Sequence, residues 1–330
     1  MRGFPRGLPS GWFQIAWSAE LAPGEVRPVR SFGQDLVLYR SAAGDLRLLE
    51  GICVHMGAHL GHGGTVEGDC VRCPFHGWLY DATGTNVEIP YADGPSAAGA
   101  LQQWEVRDLN GLVLAWFGAS DEGPSWDPPM ADVPESRDVG YHESFPHATA
   151  MRTLPVHPQF LAENVVDVAH NVYVHGWQRW PELVDHRSEG PVFTSEVDGY
   201  IESRSGRRSH AHAVAELFGL GLTLTHLTLD PGDGSEPRRE VSLVSVSPVD
   251  NERSDIRVTL WPQRHGEERV DEGMTGAMIR GAFREVFEND GRIWENLSYR
   301  VTPKLAAIEA RPAHNVRKWA RQFYDDHGSG

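Results

Sequence analysis

Two short segments of the chain each carry one cysteine and one histidine. They are Cys53-Val-His55 and Cys73-Pro-Phe-His76, and seventeen residues separate them. Two cysteines and two histidines are a common tetrahedral set for zinc. In the usual zinc arrangement, however, one segment carries both cysteines and the other both histidines. One of each per segment suits a [2Fe–2S] cluster in which the two cysteines bind one iron and the two histidines bind the other.

Histidine ligation changes the redox chemistry of such a cluster. Replacing two thiolates by neutral imidazoles makes reduction easier, so the cluster can accept electrons from a ferredoxin-level donor. The stretches CVHMGAHLGHG and CPFHGW resemble the two ligand loops of the Rieske family. We therefore predict that electrons pass through this part of the chain, with a zinc site as the alternative.

A second set of candidate metal ligands lies between Glu163 and His175. On a helix, Asp167 and His170 are three positions apart and share a face. His170 and His175 are five apart and point about 140° away from each other on a regular helix. Both can bind one ion only if the helix ends or distorts between them, which the weak helix formers after Asn171 and the glycine after His175 permit. The alternative is two unrelated histidines on a core helix.

A carboxylate that could complete this site lies in the last long predicted helix. Asp290 falls in the middle of an amphipathic apolar stripe. The stripe consists of Phe283, Val286, Phe287, Ile293, Trp294 and Leu297. A carboxylate on a core-facing surface is costly unless it is paired or binds a cation. A metal is the most economical partner, and a buried salt bridge is the alternative.

Two histidines and one carboxylate with open positions form the facial triad of mononuclear non-heme Fe(II) oxygen chemistry. Zinc could bind the same ligands, but the upstream redox cluster would then have no task. The stretch ENVVDVAHNVYVH resembles the catalytic helix of Rieske non-heme iron oxygenases, particularly the short terminal oxygenases. FENDGRIWENLSYR and RKWARQFYDD are more similar to 3-ketosteroid 9α-hydroxylase oxygenase components and cholesterol 7-desaturases than to aromatic-ring dioxygenases.

This resemblance implies roles for individual residues. His170, His175 and Asp290 would bind iron. Asp167 would relay electrons between a histidine of the triad and a histidine of the cluster, with His76 as the favoured partner. Asn164, three residues before Asp167 as in the short monooxygenases and demethylases, is counted with it among the catalytic residues.

The resemblance also implies a reaction and its partners. A ferredoxin or ferredoxin reductase supplies electrons to the Rieske cluster, which passes them to Fe(II). O₂ is then used to hydroxylate or desaturate a bulky, largely apolar, steroid-like substrate. No Gly-x-Gly-x-x-Gly follows a strand and opens a helix, so NAD(P)H acts only through a separate reductase. The family places cooperating cluster and iron on neighbouring subunits of a homotrimer.

Several alternatives to this function remain open. One is an aromatic O-demethylase or a tailoring monooxygenase acting on a natural product. A second alternative is a non-catalytic electron carrier, in which only the Rieske domain is functional. A ligand-binding protein with a vestigial iron site is the third.

Composition sets further limits. A net charge of −16 argues against a nucleic-acid surface and against binding to an anionic membrane. The N-terminal region has no apolar run long enough for a signal peptide or a membrane span. Two of the three cysteines are assigned to the cluster, which argues against a disulfide framework and favours a cytoplasmic location for the protein.

The predicted fold class is α+β. Short, partly alternating apolar runs predict an all-β Rieske domain over residues 1–120, with the ligand loops at its tip. A segment rich in Pro, Asp and Ser, residues 121–138, predicts a linker. Residues 139–330 predict a long antiparallel sheet covered by helices, and the resemblance implies that this is a helix-grip (START-like) catalytic domain. The resemblance is weakest over 180–270, where we expect the substrate pocket.

Overall fold

The computed structural model describes residues 7–96, 99–118, 123–128, 140–202, 206, 208–264 and 269–324. The chain divides into two units, of which one is Phe13–Pro124 and the other combines Met1–Trp12 with Ser125–Gly330. Most of the predicted linker, residues 121–122 and 129–138, lies outside the described residues.

Short strands build the N-terminal unit. They are β1 (Gly11–Trp17), β2 (Val26–Ser31), β3 (Gln34–Arg40), β4 (Leu46–Glu50), β5 (Thr65–Glu67), β6 (Cys70–Arg72), β7 (Leu79–Tyr80), β8 (Asn86–Glu88), β9 (Gln103–Trp104), β10 (Val106–Leu109) and β11 (Leu112–Phe117). They form three sheets, ordered β1-β11-β10, β2-β3-β4-β9 and β5-β6-β7-β8. The helical part described in this unit is one 3-10 turn, Ser18–Glu20. The all-β prediction is confirmed.

One antiparallel sheet of seven strands forms the frame of the second unit. Its strands are β12 (Thr149–Leu154), β13 (Gln178–Glu189), β14 (Val192–Glu202), β15 (Arg208–Phe218), β16 (Leu222–Asp230), β17 (Arg238–Pro248) and β18 (Ser254–Pro262). Their order is β12-β18-β17-β16-β15-β14-β13, so the chain runs mainly from each strand to its neighbour.

Helices cover one face of this sheet. They are α1 (Pro158–Asn164), α2 (Val168–Tyr173), α3 (Gly273–Arg284), a π-helical segment (Glu285–Asp290), α4 (Gly291–Trp294), α5 (Ala307–Ala320) and a 3-10 turn (Arg321–Phe323). Among the described residues, no helix has the length and apolar character needed to cross a membrane.

Two apolar clusters join these helices to the sheet. In the first, Val246 and Val258 pack with Phe287 and Trp294. In the second, Phe193 on β14 packs with helix α5 and the turn after it. Burying each large apolar side chain contributes roughly 1.5–3 kcal/mol. The predicted sheet covered by helices is therefore confirmed.

The segment Pro158–Tyr173 forms two helices, α1 and α2, with a break between them. The β-branched pair Val165 and Val166 follows α1, and both residues lie outside either helix. Asp167 then acts as the N-cap of α2, because its Oδ1 accepts from the N–H groups of Ala169 at 3.1 Å and His170 at 3.3 Å.

His157, the N-cap of α1, gives a prediction about pH. Its side chain is 2% exposed, and its Nδ1 accepts from the N–H of Gln159 at 3.2 Å. Burial lowers the pKa of His157 to about 3. An unfolded histidine has a pKa of about 6.5, so below that pH the unfolded chain binds a proton that the folded chain does not.

We therefore expect His157 to cost the fold stability as the pH falls from about 6.5 towards 3, by about 2 kcal/mol at pH 5. His157→Asn keeps a capping acceptor but does not titrate. The difference in free energy of unfolding between wild type and variant, from urea titrations, should shrink by about 2 kcal/mol between pH 7 and pH 5. A difference that is independent of pH would contradict this.

Candidate metal centres

The two cysteine–histidine segments form loops of the same shape. They lie between β4 and β5 and between β6 and β7. In each loop the cysteine N–H donates to the carbonyl five residues on at 2.8 Å, for Cys53 and Cys73 alike. The glycine four residues on, Gly57 or Gly77, donates back to the cysteine carbonyl at 3.0 or 3.1 Å. Both glycines have positive φ, 78° and 74°, which a side chain would make costly.

The four predicted cluster ligands lie together. Cys53 and Cys73 are 2% and 3% exposed, and the ring centroids of His55 and His76 are 4.6 Å apart. Burial raises the pKa of the Cys73 thiol, and the neighbouring Cys53 raises it further. His76 Nδ1 is buried and has no hydrogen-bond partner in the described part of the chain. An unpaired imidazole nitrogen and two buried cysteines fit a cationic iron group, because a cation would bind the nitrogen lone pair and stabilise the thiolates.

Aromatic side chains surround these ligands. Trp78 stacks on His55 with ring centroids 4.6 Å apart and planes 8° apart. The Tyr80 hydroxyl lies 3.1 Å from Cys53 Sγ, and burial followed by this contact raises the pKa of Tyr80. The tyrosine is therefore protonated and can donate to the sulfur.

We expect Tyr80→Phe to make the reduction potential of the cluster more negative by roughly 20–60 mV. A hydrogen bond to a ligand sulfur favours the reduced cluster, and a net hydrogen-bond energy of about 0.5–1.5 kcal/mol converts to this range for one electron. Tyr39→Phe is the control, because that hydroxyl donates to the Asp69 carbonyl at 3.0 Å and Tyr39 packs in the same apolar core. Equal potentials for wild type and Tyr80→Phe in a spectroelectrochemical titration would contradict the assignment.

The second predicted set, His170, His175 and Asp290, also lies together. One nitrogen of each histidine and one carboxylate oxygen lie within 4.8 Å of one another. His175 Nε2 is 3.3 Å from Asp290 Oδ1, and the two imidazole rings are nearly perpendicular at 77°. Asp290 is 8% exposed. The three ligand atoms therefore surround a space of the size that one metal ion needs.

The end of α2 brings the two histidines together. This helix ends at Tyr173, and Gly176 has a φ of 69°. The chain therefore leaves the helix between His170 and His175, as the geometry of a regular helix required. The predicted end of the helix is confirmed.

Asp290 is positioned by a π-helical segment, where a regular helix was expected. The segment spans Glu285–Asp290, and the N–H of Gly291 donates to the Val286 carbonyl five residues earlier. Phe287 and Trp294 are buried as predicted, but Ile293 is 41% exposed. The wider turn rotates the residues that follow it, so the stripe predicted for a regular helix is wrong at Ile293.

Glu285 is a functional candidate that the sequence analysis missed. Its Oε2 accepts from His175 Nδ1 at 2.8 Å and from Asn289 Nδ2 at 2.6 Å. Residues five apart diverge by about 140° on an α-helix, whereas a π turn brings them to the same side. Glu285 and Asp290 can therefore contact opposite nitrogens of His175. A second acidic residue five positions before Asp290 was the available sequence signal.

Both histidines turn Nε2 towards the site. His170 Nδ1 donates to the backbone carbonyl of Asp167, and the Asn164 amide donates to His170 Nε2 at 3.1 Å. Asp167 thus contacts the His170 ring through its carbonyl, while its side chain is exposed and caps α2.

The electrostatics of this site fit a cation. Burial, and then the neighbouring His175, lower the pKa of His170. Burial also lowers the pKa of His175, but the carboxylates of Asp290 and Glu285 outweigh it and raise that pKa. A metal ion could take the place of the proton between His175 Nε2 and Asp290. Two imidazoles and one carboxylate with open positions match the donor set of non-heme Fe(II).

Comparison with solved structures identifies the fold. Dicamba monooxygenase with non-heme iron and dicamba has a TM-score of 0.70 at 17% identity, over 97% of both chains. Pseudomonas putida CBB5 NdmA has a TM-score of 0.68 at 17% identity, over 94% of this chain and 89% of that chain. The fold is that of the Rieske oxygenases.

Family models identify the chain more narrowly. The Rieske [2Fe-2S] domain matches residues 11–105, and the 3-ketosteroid 9alpha-hydroxylase C-terminal domain matches residues 115–324, more than half of the chain. The chain belongs to the Rieske-type monooxygenases that carry this C-terminal domain, and its cofactors are a Rieske [2Fe–2S] cluster and a non-heme iron.

Full-length relatives agree with the family models. Cholesterol 7-desaturase of Xenopus laevis is 32% identical over 99% of this chain and 74% of its own length. A 3-ketosteroid-9-alpha-monooxygenase oxygenase component of Rhodococcus rhodochrous is 27% identical over 98% of this chain and 85% of its own length.

Proposed function

We propose that this chain is the terminal oxygenase of an electron-transfer system and that it hydroxylates or desaturates a bulky, largely apolar, steroid-like substrate. The observation that carries the proposal is the convergence of His170, His175 and Asp290 in a chain that also has a Rieske domain. Relatives named for cholesterol and for 3-ketosteroids support the substrate class.

The residues have distinct tasks in this proposal. When bound, the cluster supplies single electrons and the mononuclear iron supplies O₂ activation. Cys53 and Cys73 hold one side of the cluster, and His55 and His76 hold the other. At the second site, His170 and His175 present Nε2 and Asp290 presents a carboxylate oxygen.

Two hydrogen bonds orient the histidines of the second site. The Asp167 carbonyl holds Nδ1 of His170, and the Glu285 carboxylate holds Nδ1 of His175. Each imidazole therefore has Nδ1 held in a hydrogen bond and Nε2 directed at the site. There a metal would replace the contact of His175 with Asp290 and that of His170 with Asn164. The Asn164 amide lies beside Nε2 of His170, where it can contact a molecule bound at an open position.

The electron path in this proposal enters through Asp167. Its carboxylate is exposed one residue before the start of α2, and its backbone carbonyl accepts from the His170 ring. It can accept a hydrogen bond from a cluster histidine, His76 being favoured, on a neighbouring subunit of a homotrimer. A ferredoxin or ferredoxin reductase reduces the cluster, and we assign the protein to the cytoplasm from its cysteine usage.

Single-turnover oxidation tests this proposal. Chemically reduced protein is exposed to O₂ with a sterol, a 3-ketosteroid or an aromatic methyl ether, and the products are identified by mass. The expected product is a steroid that has gained one oxygen atom or lost two hydrogen atoms. Loss of a methyl group from the ether alone would favour the O-demethylase, and reoxidation of the cluster with no product from any probe would overturn the proposal.

A further inference from the structure

A cleft of about 520 Å³ lies between the second half of strand β13 and helix α5. The helix and the turn after it contribute Asn315, Lys318, Trp319 and Gln322. The last three lie three, four and seven positions after Asn315, so all four share one face of the helix. The predicted iron ligands are not among the residues that line the cleft, so a molecule bound there does not touch the iron site.

The opposite wall of the cleft comes from β13 and the hairpin turn that follows it. His186 and Ser188 are two residues apart on this strand, so their side chains project from the same face of the sheet. Ser188 lies opposite Phe193 in the strand register, and Phe193 packs against Trp319 with ring centroids 5.4 Å apart. Both polar side chains are therefore on the side of the sheet that α5 covers.

Hydrogen bonds fix the two walls to each other. The Gly190 carbonyl, in the hairpin turn, accepts from Trp319 Nε1 at 3.0 Å and from Gln322 Nε2 at 3.1 Å. The Asn315 amide donates to His186 Nε2 at 3.1 Å. Small-molecule sites are typically pre-formed pockets of roughly 300–1,000 Å³. The cleft has this size, and its walls are tied in place.

The cleft carries a positive charge that is not neutralised. Lys318 is exposed, and no carboxylate of the described residues pairs with it. Arg187 also lines the cleft, but Asp185 neutralises it at 2.7 Å. The lining residues that the structure describes include no acidic side chain, although the whole chain has a net charge of −16. The cleft therefore favours a ligand with one negative charge.

The side chains of the cleft suit a carboxylate on a partly apolar molecule. A lysine ammonium has three donors and no acceptor, and it binds an anion as a point charge. The Ser188 hydroxyl can donate to a second oxygen of the same group. Trp319 and the methylene stem of Lys318 supply apolar surface beside these donors. A single net positive charge matches a carboxylate better than it matches a phosphate dianion.

We propose that this cleft binds a small organic acid through its carboxylate group. The carboxylate accepts hydrogen bonds from Lys318 and Ser188, and the rest of the molecule fills the cleft towards Trp319. The bound acid is a second ligand of the protein, held apart from the substrate that reacts at His170, His175 and Asp290. The inference does not depend on which substrate the iron site oxidises.

Lysine labelling tests this inference at the cleft itself, because lysine occurs at two positions in the chain, Lys304 and Lys318. The purified holoprotein is treated with an amine-reactive N-hydroxysuccinimide ester, and mass spectrometry of the peptides gives the rate of acylation of each lysine. Benzoate at millimolar concentration should slow the acylation of Lys318 at least about threefold. Lys304 is also exposed, and as the internal control it should react at an unchanged rate.

Uncharged and inorganic probes decide whether the site recognises an organic acid. Benzamide has nearly the same shape as benzoate but no charge, and it should not protect Lys318. Equal protection by benzamide overturns the inference, as does a lack of protection by benzoate, hexanoate and 3-phenylpropionate alike. Protection by inorganic phosphate alone would assign the cleft to a free inorganic anion and would also overturn it.

Ser188→Ala tests the placement of the carboxylate while Lys318 remains as the reporter. Protection by benzoate should become several-fold weaker in this variant, because the second donor is lost. Ser298→Ala, at an exposed serine outside the cleft, is the control and should be protected like wild type. Unchanged protection in Ser188→Ala would contradict the inference. The assay involves no turnover, so its failure leaves the proposed oxygenase function standing.

Discussion

Replacing Asp290 by alanine is expected to reduce turnover about a thousandfold or more and to leave the visible spectrum of the cluster unchanged. Asp290 contributes the one carboxylate of the three-residue group, and it is 8% exposed. Without it, two neutral imidazoles remain to hold a divalent iron. The cluster ligands lie in the other unit of the chain, so their spectrum should persist.

Glu288→Ala is the matched control for Asp290→Ala. Glu288 belongs to the same π-helical segment, and its side chain is 61% exposed, 3.9 Å from Arg284. This variant should keep both turnover and spectrum. Substantial turnover by the Asp290→Ala protein, measured with product formation under saturating donor, would remove Asp290 from the ligand set.

Replacing Glu285 by alanine is expected to weaken Fe(II) binding roughly 10- to 100-fold. The Glu285 carboxylate accepts from His175 Nδ1 at 2.8 Å and thereby fixes both the orientation and the proton of that ring. Asn289 in turn holds the carboxylate at 2.6 Å. Losing the acceptor frees the ring to rotate and to carry its proton on Nε2, where it would block the metal.

Glu285→Gln should fall between wild type and Glu285→Ala, because its amide oxygen can still accept from His175. Competition with a chelator gives the Fe(II) affinity, and the electron paramagnetic resonance spectrum of the nitric oxide adduct reports the geometry of the site. Glu288→Gln is the control, because it removes the same single negative charge from the same π-helical segment. If Glu285→Ala binds Fe(II) as tightly as wild type and gives the same spectrum, Glu285 has no positioning role.

Features encoded by local sequence could be predicted well. The cluster loops combine cysteine, histidine and glycine within a few residues, so they can be recognised from the sequence alone. Asp290 could be predicted as a ligand candidate because a carboxylate in an apolar stripe needs a partner. The end of α2 followed from the impossibility of joining His170 and His175 on a regular helix.

Features that depend on tertiary structure could not be predicted. The π-helical segment adds no recognisable sequence pattern, so the contact of Glu285 with His175 and the exposure of Ile293 were missed. The break before Asp167 depends on a capping hydrogen bond that competes with a continuous helix.

The ratio of iron and acid-labile sulfide to protein tests the central claim most directly, because an oxygenase needs a mononuclear iron besides its cluster. The purified chain should contain about three irons and two sulfides, with the third iron lost in Asp290→Ala. Either of two results would contradict the assignment of His170, His175 and Asp290 as the site of oxygen chemistry. One is wild type with two irons and two sulfides that shows no turnover after Fe(II) is added. The other is a third iron that persists in Asp290→Ala.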